Sequence, residues 1–235
     1  MITYQQIQSA LIKAGYSCGR AGADGIWGRD SIAACKRFQT AKGLTPVDGI
    51  PAGDTLTALF PGKKQPKPKD IPLPWYEEAK AHLGLHETPG RKTNQEIAKW
   101  LRSLNAPWDD DETPWCGTFV GHCIASTLPE EPLPGNPFGA RQWGKFGRRC
   151  EPQGGAIMVF WRVHKINSSK GHVGFYAGED GSSFHILGGN QSDSVSVAKV
   201  AKDRFLDARW PSTAMFLETG SGQAVKGVSP EGSEA

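Results

Sequence analysis

The sequence predicts an α+β protein in two modules: a small bundle of three helices, then a larger unit whose helices pack on an antiparallel sheet. Three observations lead there. A proline- and lysine-rich run at 61–74 divides the chain, extended by its prolines and solvated by its lysines. Before it, apolar residues recur at helical spacing. After it, helical periodicity gives way at Gly155 to short alternating segments, and helices followed by consecutive strands argue for α+β.

Taken in order, Ile7, Leu11 and Ile12 mark one face of a first helix that stops at Gly15. An internal repeat follows. Asp24-Gly25-Ile26 precedes Asp30-Ser31 and an apolar series through Ile32, Cys35 and Phe38. Asp48-Gly49-Ile50 precedes Asp54-Thr55, Leu56 and Leu59. Each unit reads as a turn, a helix N-terminus and a helix. In the second module, helices are expected over 75–83, 94–104 and 115–128, and strands over 156–161, 172–177, 184–187, 194–197 and 214–217. The expected domains are therefore 1–60 and 75–217, with a linker at 61–74 and a disordered Gly/Ser-rich tail at 218–235.

Composition narrows the function classes. The chain has 235 residues, 38% hydrophobic and 22% charged, with a net charge of +3, as ordinary globular protein does. No basic stripe is interleaved with aromatics, so nucleic acid is not expected as a partner. No apolar stretch reaches the roughly 18 residues of a membrane span, and no secretory signal opens the chain. Five cysteines without a C-x-x-C pair describe neither a disulfide framework nor a zinc knuckle. Cys18 and Cys35 stand close enough in the first module that bridged and separately buried thiols both remain open.

One cysteine is placed for chemistry. Cys116 follows Pro114-Trp115 and begins a helix, where unpaired N–H groups and the helix dipole favour the thiolate. Gly117 beside it is expected to leave room for a substrate backbone. In Gly171-His172-Val173-Gly174, the histidine stands at a strand's start as a candidate base. In Gly188-Gly189-Asn190, the amide at the next strand's end is a candidate to orient it. Other groupings are weaker. His82 and His86 have i, i+4 spacing, but Glu87 follows the second histidine and no third ligand is evident. The run 109–112 reads as a solvated acidic loop. No metal and no cofactor is expected.

The order Cys116, His172, Asn190 resembles the CHAP branch of the papain-like superfamily, the cysteine- and histidine-dependent amidohydrolases/peptidases. The landmarks are Leu83-Gly84 to Gly90, Pro114-Trp115-Cys116, Gly171-His172-Val173-Gly174, Gly188-Gly189-Asn190-Gln191 and Arg209-Trp210-Pro211, spanning nearly all of 75–217. The first module resembles the peptidoglycan-binding domain found beside many wall hydrolases, through Gly15-Tyr16, both Asp-Gly-Ile turns, and Ala34 to Gln39 with Gly43-Leu44. The resemblance implies a papain-like fold with Cys116 as nucleophile, His172 as general base and Asn190 as orienting residue. Many CHAP domains carry a glutamate where this chain has Gly188. Asp24, Gly25, Trp27, Asp48 and Gly49 become the candidate wall contacts. The implied protein is a monomeric peptidoglycan hydrolase cutting an amide of the peptide stem, as a muramoyl-alanine amidase or an endopeptidase. A phage endolysin fits, made in the host cytoplasm and released to the wall by another factor. The alternatives are an injected antibacterial amidase toxin and a non-catalytic wall-binding or virion structural protein.

Overall fold

The structure is a computed structural model that describes residues 3–214 apart from 46, 52, 63–72, 89, 91 and 167. Most of the expected linker and all of the tail at 218–235 lie outside the described residues. Among the described residues no helix is long and apolar enough to cross a membrane.

The first module holds α1 (Tyr4–Lys13), α2 (Arg29–Ala41) and α3 (Gly53–Leu59). A capping box starts α1: Thr3 Oγ1 accepts from the Gln6 N–H, and Gln6 Oε1 accepts from the Thr3 N–H. Ile7 and Leu11 of α1, Ala34, Cys35 and Phe38 of α2, and Leu56 of α3 face one small core. Ile12, expected on the apolar face, is 41% exposed because the buried stripe follows positions 4, 7, 8 and 11.

The second module begins with α4 (Pro74–Ala81), α5 (Gln95–Ser103) and α6 (Cys116–Thr127). Pro74, assigned to the linker from sequence, instead takes the first turn of α4, where its missing N–H is harmless. Asn94 caps α5 by accepting from the Glu96 N–H at 2.8 Å. Helix α6 buries Phe119, Val120, Cys123 and Ile124 together with three small residues, Gly117, Thr118 and Gly121. Such a helix, apolar on nearly every side, belongs in an interior, and it packs against α4, α5 and the sheet.

Six antiparallel strands form that sheet: β1 (Arg148–Arg149), β2 (Ile157–Trp161), β3 (Gly171–Glu179), β4 (Ser183–Gly188), β5 (Ser196–Ala201) and β6 (Phe205–Trp210), in the order β1-β6-β2-β3-β4-β5. The central pairing sets Phe160 opposite His172 and Val159 opposite Val173. Two strand expectations change. The strand expected over 194–197 starts at Ser196 and runs on to Ala201, while Ser194 bridges His86. The last strand is β6 rather than 214–217: Ala214 lies in a bend, and 215–217 are outside the described residues. Segment β6 is masked in the sequence by its charges. Asp207 and Arg209 pair with each other, and Arg149 of β1 joins them, so the polar face is satisfied within the sheet edge.

Candidate functional site

Helix α6 opens at Cys116, and Trp115 before it provides no side-chain cap. The first-turn N–H groups are therefore left to act on the thiol. Cys116 keeps 6% of its surface exposed, and His172, at the start of β3, keeps 1%. Burial alone would raise the Cys116 thiol. The His172 hydrogen bond and charge, with backbone hydrogen bonds from Val173 and Gly117, outweigh burial and bring it below the ordinary value. Helix start and strand start thus meet as the sequence proposes.

The third partner is different. His172 Nε2 lies 2.9 Å from Gln191 Oε1. The Gln191 amide is oriented by its other end, since Nε2 donates to the Ser196 carbonyl at 2.6 Å and the Ile186 carbonyl at 3.2 Å. Its oxygen therefore accepts, so His172 carries its proton on Nε2 and Nδ1 is the ring nitrogen that can accept one. Asn190, the residue expected in this role, donates from Nδ2 to Glu87 at 2.8 Å. Its φ of 55° lies in the left-handed region, which turns the chain after β4 and brings the following residue under the histidine. Gly188 permits this. A Cβ there would stand 3.1 Å from Gln191 Oε1 and 3.3 Å from His172 Nε2. The space left at Gly188 is what lets the amide three residues later reach the histidine.

Glu87 is a second residue that sequence reading did not place here. Its Oε1 accepts from both Trp115 Nε1 and Asn190 Nδ2, tying the loop before α5 to the residue ahead of Cys116 and to the β4–β5 turn. Burial pushes the Glu87 carboxyl up, against the Trp115 hydrogen bond and helped by the charges of Asp193 and Asp111. Gly117 has a packing role instead of the substrate clearance expected: a Cβ would meet the carbonyl oxygens of Pro137 and Phe138 at 2.5 Å. In the acidic run, Asp111 is buried and not solvated, accepting from the Thr88 and Asn94 N–H groups.

In the first module the repeat acquires a mechanism. Gln8 of α1 clamps the first turn: Oε1 accepts from the Gly25 N–H, and Nε2 donates to Asp24, Ser31 and the Ile26 carbonyl. Gln39 of α2 clamps the second in the same way, through Gly49, Asp48, Thr55 and Ile50. Asp24, Gly25, Asp48 and Gly49 therefore have structural work inside the turns. Trp27, a candidate wall contact, is 1% exposed and so has no surface to offer the wall: it is stacked on Tyr4, with Nε1 donating to the Gly49 carbonyl. The exposed apolar residue at that turn is its neighbour Ile26, beside an open pocket lined in part by Asp24, Arg29 and Asp30. Cys18 and Cys35 are separate buried thiols.

Residues 3–59 match the family model described as a putative peptidoglycan binding domain. No curated protein and no solved structure gave a match.

Proposed function

We propose that the chain is a cysteine peptidoglycan hydrolase that binds the wall through residues 3–59 and cuts an amide of the peptide stem with Cys116. The observation that carries this is the relay Cys116–His172–Gln191 at the start of α6, in one chain with a matched wall-binding segment. In this reading His172 Nδ1 takes the thiol proton while Gln191 holds Nε2–H. The sulfur then attacks the amide carbonyl, and first-turn N–H groups of α6 stabilise the oxyanion. Protonated His172 next delivers its proton to the leaving amine. Water, activated by the same nitrogen, hydrolyses the thioester and restores the thiol. The first module, tethered to the polymer, raises the local concentration of scissile bonds. A papain-like CHAP fold, action as a monomer and use as an endolysin delivered to the wall by another factor belong to the same proposal.

Digestion of purified peptidoglycan, with mass spectrometry of the products, tests it. New amino termini in the stem, or free stem peptide, are expected with the wild type and absent with Cys116→Ser. Wall binding without any released product would refute the enzyme and leave a binding protein.

A further inference from the structure

A cluster apart from the relay brings Glu78 of α4, His82 at its C-cap and His122 of α6 together. Glu78 Oε1 lies 3.1 Å from His82 Nε2 and 3.1 Å from His122 Nε2, and all three atoms fall within 4.8 Å of one another. We infer that these three side chains bind one divalent transition-metal ion of the zinc class, leaving a fourth position for water.

The geometry is close to what ligation needs. Bonds of 2.0–2.1 Å at tetrahedral angles set ligand atoms about 3.3 Å apart. Both carboxylate-to-imidazole edges already have that length, and the third edge closes by small ring movements. Both rings are held by one indole: His122 stacks on Trp100 at 5.0 Å and 17°, and His82 meets it edge-on at 4.9 Å. Such packing fixes a metal-ready orientation before any ion arrives. The side chains of Glu78, His82 and His122 are 32%, 18% and 17% exposed, so an ion can enter from solvent.

Without metal, both imidazole N–H groups converge on one carboxylate oxygen. On binding, each ring shifts its proton to Nδ1 and gives its Nε2 lone pair to the ion. The sequence pairs His82 with His86, but His86 lies at the bridge to Ser194. The second histidine comes from α6, six residues beyond Cys116 and about 9 Å along the helix axis. The ion therefore fastens α4 to the helix that begins with the nucleophile without entering the relay.

The test uses the full chain carrying Cys116→Ala, so that the reactive thiol cannot be the ligand. Titration of metal-free protein with Co(II) should give one equivalent bound, visible ligand-field absorption without a thiolate charge-transfer band, displacement by Zn(II), and a higher melting temperature with Zn(II). Glu78→Gln and His122→Asn, each checked for folding by circular dichroism, should weaken binding at least tenfold and remove the thermal shift. Absence of saturable binding, a thiolate band, or unchanged affinity in a folded variant would each overturn the assignment.

Discussion

Replacing Gln191 with alanine removes an amide that is 1% exposed and joins His172 to the backbone of β4 and β5. In the proposed mechanism His172 becomes a cation on taking the thiol proton, and a hydrogen bond to a charged group contributes about 1.5–3 kcal/mol. At about 1.4 kcal/mol per decade, kcat/KM should fall about tenfold to just over a hundredfold. Truncation also strands the Ser196 carbonyl, at about 1–3 kcal/mol of stability, so the variant should melt earlier yet still fold. Asn190→Ala, which loses a contact to Glu87 and none to His172, should lose only a few-fold. The assay is dye release from labelled peptidoglycan, with near-ultraviolet circular dichroism as the folding control. Iodoacetamide alkylation of Cys116 gives a readout that needs no substrate. A folded Gln191→Ala with wild-type kcat/KM, or a larger loss in Asn190→Ala, would refute the assignment of Gln191.

Alkylation of Cys116 should begin at lower pH than for an ordinary thiol, because the folded protein favours its thiolate; His172→Ala should move the midpoint up. At neutral pH Cys116 should be the fast thiol in the native protein, since burial pushes Cys35 and Cys150 to about 12 and Cys18 and Cys123 upward. Reagent counting in denaturant should then find all five. Trp27→Ala should unfold the first module, because emptying such a core site costs about 3–5 kcal/mol and a domain of about 60 residues has little to spare. Pelleting with peptidoglycan should be lost together with the module's melting transition, whereas Ile26→Ser should weaken pelleting with that transition intact. Gly188→Ala should crowd His172 and Gln191 and reduce dye release roughly tenfold, on the order of 1–1.5 kcal/mol, with the fold retained.

What the sequence made legible was local. Cys116 and His172 are marked by their own flanks, a proline-bounded helix start and a glycine-bounded strand, and the structure sets them face to face. Both Asp-Gly-Ile turns were equally visible. The residues that sequence reading missed work at a distance. Gln8 and Gln39 sit on helices with nothing in their spacing to say which turn they close. Gln191 displaces Asn190 because one left-handed residue rotates the chain and one missing side chain leaves space, neither of which shows in a composition. Trp27 lies in a glycine-bounded turn, a setting that suits an exposed ring as well as a buried one, and only the fold shows that its ring stacks on Tyr4 and fills the core. Strand β6 was hidden because charges that pair across a sheet edge look, in sequence, like a loop.

The glutamine clamps carry a consequence for how such a module can grow. Each turn is closed by a helix that precedes it, so α2 belongs to the first repeat by sequence and serves the second by contact. The units are links, each holding the next, and neither can be cut out whole. The turns repeat after 24 residues, Asp24 to Asp48 and Ser31 to Thr55, but the clamps stand 31 apart, Gln8 to Gln39. The hook lies 16 residues ahead of its aspartate in the first link and 9 ahead in the second, yet makes the same set of contacts. What the module keeps is the contact and not the spacing, so the segment between hook and turn is where its length is free to change.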